Sequence, residues 1–217
     1  MRPSTRATGP DRHREVAREY RRLAPRYDKR WASYIEATVR ETMSRLPPDL
    51  GERVLDVACG TGALLEAVGA AHPRIWLAGV DISPDMLEVA RRKLPAGIEL
   101  QVASAEALPF GDASFDTVVT TNSFHFFHAP NAALAEMRRV LRPGGALVVT
   151  DWCDDFLACR ICDRLLRLFS AAHHRIYGSD ECRALLESAD FEAIVVERYK
   201  IDWLWGLMTA TARKPLR

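Results

Sequence analysis

The sequence predicts an α/β fold in which a mostly parallel sheet carries helices on both faces. Three observations point there. Apolar runs of strand length alternate with amphipathic runs of helix length between residues 53 and 151, the rhythm of a parallel sheet built from crossover units. The first run, Val54 to Val57, enters the small-residue turn Ala58-Cys59-Gly60-Thr61-Gly62, and the second ends in the acid Asp81. A chain of 217 residues, 48% of them apolar, suits one large core with a helical appendage better than two domains of equal weight.

Residues 1–11, with Pro3, Gly9 and Pro10 among polar neighbours, read as a flexible lead. Asp11 can cap a helix over 12–23, which Pro25 ends. A second helix over 31–46 keeps Tyr34, Ile35, Thr38, Val39, Thr42 and Leu46 on one stripe and stops before Pro47-Pro48. Residues 12–48 are therefore read as a helical lid over a main domain at 49–217. In that domain strands are expected at 53–57, 75–80, 98–102, 115–121 and 145–151, with helices at 62–71, 84–94 and 131–141. Ser83 before Pro84 reads as an N-cap followed by proline at the first helical position. Past residue 153 the pattern changes. A helix over 154–172 and a shorter one over 180–188 make a substrate-side segment at 153–190. Strands near 191–198 and 202–212 close the chain, with Trp203 and Trp205 alternating on one face of the last; sheet-core packing is expected of the pair, with a lipid-facing or aromatic-substrate role as the alternative.

A turn built on Gly60 and Gly62 lets backbone N–H groups approach a ligand closely, while a carboxylate ending the next strand accepts from two ribose hydroxyls. That pairing predicts an adenosine-bearing cofactor. Nicotinamide, flavin and S-adenosylmethionine (SAM) sites all combine such a turn with an acid about 20 residues on. A dinucleotide site needs a third Gly or Ala where the helix N-terminus meets a pyrophosphate, and Leu65 stands there. The spacing argues against a nicotinamide oxidoreductase.

Six blocks carry a family resemblance. Tyr20-Arg-Arg-Leu-Ala-Pro-Arg-Tyr27-Asp28, Asp56 to Gly62, Val80-Asp81-Ile82-Ser83, Ala105-Glu106-Ala107-Leu108-Pro109-Phe110, Asp112-Ala113-Ser114-Phe115-Asp116 and Arg139-Val140-Leu141-Arg142-Pro143-Gly144-Gly145 follow in order across residues 18–150. The chain thereby resembles class I SAM-dependent methyltransferases, and within them the small-molecule methyltransferases of ubiquinone and menaquinone biosynthesis. The resemblance implies a Rossmann-like methyltransferase fold, a seven-stranded sheet closed by an antiparallel hairpin, and SAM as cofactor with S-adenosylhomocysteine as product. It further implies that Asp56 orients the turn and reaches the methionine amino group through water, that Ala58, Gly60 and Gly62 line methionine and ribose, and that Asp81 takes the ribose hydroxyls. Ile82 and Met86 then pack on adenine, Ser104, Ala105 and Glu106 read its polar edge, Asn122 joins the cofactor site, and Tyr20 and Tyr27 close over it. Two positions depart from the pattern. Ala58 replaces a glycine and is expected to keep φ negative, and Ser104 replaces a frequent Asp, its hydroxyl still able to accept.

Methyl transfer from a sulfonium is an in-line displacement in which orientation and desolvation lower most of the barrier. An acceptor hydroxyl, amine or acidic carbon still has a proton to lose, and His125, after the fourth strand at the carboxyl edge of the sheet, is the candidate base; its plainer role is packing beneath the cofactor. Residues 120–128, 151–153 and 173–177 are expected to form the acceptor pocket, with His125, Phe126, Asp151, Trp152, His173 and Tyr177 as substrate residues. That lining suits a quinone precursor, a natural-product ring or a phospholipid amine. Cys153, Cys159 and Cys162 lie near these histidines, but no second Cys-x-x-Cys pair follows, so packing is expected and no metal, with metalloid or thiol methylation the weaker alternative.

Net charge is +1, which gives no global case for nucleic acid. Residues 1–30 nonetheless hold ten arginines and lysines against four acids; a solvated segment explains them, and peripheral contact with a membrane is the alternative. No run approaches the ~20 apolar residues of a membrane span, no secretory signal opens the chain, and five cysteines suit a reducing compartment, so a cytoplasmic enzyme is expected. A non-catalytic regulator that binds SAM or a nucleoside is the rival reading.

Overall fold

The computed structural model describes residues 9–169 and 173–217. Seven strands, β1 (Arg53–Val57), β2 (Trp76–Asp81), β3 (Glu99–Val102), β4 (Phe115–Thr121), β5 (Leu141–Trp152), β6 (Glu192–Lys200) and β7 (Gly206–Arg213), form one sheet in the order β3-β2-β1-β4-β5-β7-β6. β1 to β5 are parallel, and β7 runs antiparallel to both of its neighbours. The helices are α1 (Gly9–Leu23), α2 (Tyr27–Arg30), α3 (Ala32–Met43), α4 (Ala63–Ala71), α5 (Pro84–Lys93), α6 (Pro130–Val140), α7 (Leu157–Phe169) and α8 (Ser179–Ser188).

Central strands are buried on both faces, which is why they read as nearly unbroken apolar runs. Val54, Val119 and Val148 pack with Leu64, Leu65 and Leu87 of α4 and α5 on one side. Leu55, Val118 and Leu147 pack with Leu134, Met137 and Leu186 of α6 and α8 on the other. β1 sits between β2 and β4, so successive crossovers leave it in opposite directions and open a crevice at the carboxyl ends of the strands.

Several boundaries differ from the sequence reading. The flexible lead at 1–11 falls, for residues 1–8, outside the described residues, and α1 already begins at Gly9, which puts Asp11 inside the helix instead of at its cap. Ser83 caps α5 as expected, its hydroxyl accepting from the Met86 N–H at 3.4 Å. β7 starts at Gly206 because the Asp202 carboxylate accepts from the Leu204 and Trp205 N–H groups (2.7 and 2.6 Å) and folds 202–205 into a turn. Trp203 and Trp205 therefore share no strand face: Trp203 is 82% exposed, whereas Trp205 packs 4.5 Å from Trp152.

Ala58 is a second correction. Its φ is +59°, because the Cys59 N–H is drawn to the Val80 carbonyl at 2.9 Å and the chain must reverse within one residue of β1. A Cβ in that region costs about 1–2 kcal/mol. Ala58→Gly is expected to raise stability by about 1 kcal/mol and the melting temperature by roughly 2–4 °C; a thermal scan with no rise would show the turn to be unstrained.

Candidate active site

The turn after β1 and the acid ending β2 meet over the crevice. Asp81 Oδ2 accepts from the Gly60 N–H at 2.8 Å and Oδ1 from the Ser83 N–H at 2.8 Å. A carboxylate offers about four acceptor sites, so lone pairs remain for a diol. Around this point lies an open cleft whose empty space, counted out to solvent, is about 1120 Å³. Asp56, Ala58, Gly60, Asp81, Ile82, Met86, Ser104, Ala105, Glu106 and Asn122 line it, and Tyr20 and Tyr27 cover it. Gly62, expected beside them, is absent from this lining: it holds φ +78° at the start of α4, where a Cβ would lie 2.6 Å from Leu94, so it serves helix packing.

Burial raises the Asp81 carboxyl to about 6 against the opposing pull of its backbone hydrogen bonds. Burial, with Asp81 nearby, also raises Asp56. Because the folded value of Asp81 exceeds the ~3.9 of an unfolded chain, the folded state binds this proton more tightly, and stability rises as pH falls through 6. Between pH 7.5 and 5 the ligand-free protein is expected to gain about 1 kcal/mol more than Asp81→Asn. Urea unfolding at the two pH values checks this; equal gains would contradict it.

α2 is tied to the turn. Asp28 accepts from the Thr61 hydroxyl at 2.5 Å and pairs with Lys93 Nζ at 2.8 Å, a role that the Tyr27-Asp28 block does not disclose because both partners are distant in sequence. Tyr20 meets Tyr27 and Phe126 edge-to-face at 5.9 and 5.7 Å. Burial pushes the Tyr27 phenol to about 12 and keeps it neutral.

On the expected acceptor side, Phe126 lines the cleft together with Ser123, Phe127 and His128, whereas His125, Asp151, Trp152, His173 and Tyr177 do not. Those five gather behind it. His125 Nδ1 lies 2.7 Å from Asp151 Oδ1, and Asp151 Oδ2 accepts from the His125 N–H at 2.8 Å. The Trp152 and His173 rings stand 5.0 and 5.3 Å from the His125 ring, and Tyr177 packs on Phe124 at 5.1 Å. His173 Nε2 is 2.8 Å from the buried Asp163, which also accepts from the Ile176 N–H and pairs with Arg167; burial holds the His173 pKa down.

Tyr34 is a site residue the sequence reading assigned only to a packing stripe. Its hydroxyl accepts from Trp152 Nε1 at 2.5 Å and donates to Asn122 Oδ1 at 2.7 Å, and Asn122 Nδ2 donates to Thr38 Oγ1 at 3.0 Å. This chain fastens α3 across the carboxyl ends of β4 and β5. Cys159 is buried against the Gly206 carbonyl (3.2 Å). Among the described residues no group of three or more His, Cys, Asp or Glu is placed to hold a metal ion.

Residues 55–149 match the methyltransferase domain family. An O-methyltransferase of Aspergillus nomiae is 31% identical over 167 residues, 73% of this chain and 72% of that one. A demethylmenaquinone methyltransferase of Renibacterium salmoninarum is 36% identical over 68% of this chain and 63% of that one, so the chain spans less than two thirds of that relative's length. A solved SAM-dependent methyltransferase from Thermotoga maritima shares the fold, with a TM-score of 0.75 at 23% identity over 92% of this chain and 99% of that one.

Proposed function

Since this chain belongs to the class I SAM-dependent methyltransferases, we propose that it transfers a methyl group from SAM to a small-molecule acceptor of quinone-like, natural-product or lipid-amine type. The observation that carries the reading is the junction of Gly60 and Asp81, a close-approach backbone turn hydrogen-bonded to an acid with lone pairs to spare. The residues present fit the cofactor: Asp81 for a ribose diol, Ile82 and Met86 for the adenine face, Ser104 and Glu106 for its polar edge, and Asp56 toward an amino group, all on one cleft. Bound there, SAM supplies an electrophilic methyl on a good leaving group. The protein's part is to orient the acceptor and exclude water, and Tyr20, Tyr27 and Phe126 supply the apolar cover.

His125 is the candidate base in this reading. Asp151 holds Nδ1–H and so directs the lone pair to Nε2. Its ring lies 4.0 Å from that of Phe126, one ring behind the cleft wall, so the base role requires Phe126 to turn aside when the acceptor binds. Residues 12–48 act as the lid of the 49–217 domain. No helix among the described residues is long and apolar enough to cross a membrane, and the five cysteines are free thiols, as a reducing cytoplasm keeps them.

Purified protein given methyl-labelled SAM and a cell extract should produce metabolites that gain one labelled methyl group, detected by mass spectrometry. SAM binding without turnover on any acceptor would favour a non-catalytic regulator. Absence of SAM binding by titration calorimetry would overturn the reading altogether.

A further inference from the structure

α7 presents an apolar line to solvent. Leu157, Ile161 and Leu165, four residues apart on one helical face, are 69%, 49% and 52% exposed. Trp203, 82% exposed, lies in the turn that packs on the buried face of α7, where Cys159 Sγ meets the Gly206 carbonyl at 3.2 Å and the Leu204 carbonyl at 3.9 Å. Contiguous exposed apolar side chains of this kind mark an interaction surface.

The charges select the partner. Arg160, Arg164 and Arg167 flank the line on α7, while the helix's one acid, Asp163, is buried and engaged with His173 and Arg167. Lys200 stands over Phe156 just before the helix. Of the nearby acids, Asp154 pairs with Arg160 and Asp155 with Arg198; Asp202 accepts N–H groups of its own turn and keeps its charge, and Arg164 and Lys200 outnumber it, which leaves the patch net positive. An apolar stripe bordered by basic side chains is the pattern of a helix that lies in the interface of an anionic bilayer. α7 also follows the carboxyl end of β5, the sheet edge on which the cleft opens.

We propose that α7 docks the protein on an anionic membrane surface, Leu157, Ile161 and Leu165 entering the acyl boundary while Arg164 and Lys200 meet lipid phosphates. The inference stands apart from methyl transfer. It is tested by sedimenting the full chain with phosphatidylcholine vesicles with and without phosphatidylglycerol. Binding should be at least about tenfold stronger on the anionic vesicles and weaken as salt rises. The double variant Ile161→Asp, Leu165→Asp should lose it by at least about tenfold while its melting temperature and SAM affinity stay at wild-type values, and Arg164→Glu should weaken binding to anionic vesicles. No binding, equal binding to neutral vesicles, or binding retained by the double variant would overturn the proposal, the last by assigning attachment to the basic residues 1–30. A lipid-free dimer abolished by the double variant would overturn it too, by making the face a contact between copies.

Discussion

Asp81→Ala is expected to abolish measurable donor binding. The residue is 9% exposed, and two hydrogen bonds from a ligand diol to a charged acceptor contribute about 1.5–3 kcal/mol each, so their joint loss lowers affinity by roughly 10²–10⁴-fold. The damage exceeds two contacts, since Gly60 and Ser83 each lose the oxygen that accepts their N–H and the turn loosens where a ligand needs it fixed. Titration calorimetry measures the loss, with circular dichroism as the check that the sheet is intact. Affinity within a few fold of wild type would remove Asp81 from the cofactor site.

His125→Ala is expected to leave donor affinity near wild type and to slow turnover by about 10²–10⁴-fold, the usual worth of a positioned general base. Asp151→Asn should reproduce most of that loss, since an amide in place of the carboxylate no longer fixes the tautomer with Nδ1 protonated. Both residues are nearly buried, so each variant's melting temperature is needed beside its kinetics. Full turnover by a folded His125→Ala protein would reduce the histidine to a packing element under Trp152 and Phe126.

Most of the cleft was legible in the sequence because its parts are local. The β1 turn, Asp81 at the end of β2 and the Ser104-Ala105-Glu106 turn are each contiguous, and the strand period puts them at one sheet edge. What escaped depends on partners distant in sequence. The φ of Ala58 is set by the Val80 carbonyl; the hydroxyl of Tyr34 works only because Trp152 and Asn122 reach it from two strands; and Asp202, which looks like an ordinary strand-end acid, folds back on its own backbone and removes Trp203 from the sheet. His125 was placed correctly at the carboxyl edge, but alternation along a short helical turn, Phe124 to Phe126, decides which ring faces the cleft, and periodicity over three residues cannot resolve that.

The two halves of the roof are held differently. α3 is bolted to the sheet through Tyr34, Asn122 and Thr38, and again through the Thr42 and Thr150 hydroxyls at 3.1 Å, whereas the stretch ahead of Trp31 packs on α5, with Ala24 buried, and reaches the domain through Asp28, an Arg21–Asp85 pair at 4.0 Å and aromatic edges. Trp31, with φ −111° and ψ 18° between two helices, joins the two. Asp28→Ala, which frees Thr61 and Lys93, is expected to quicken cofactor exchange without reshaping the chamber behind it, as stopped-flow release of S-adenosylhomocysteine would measure.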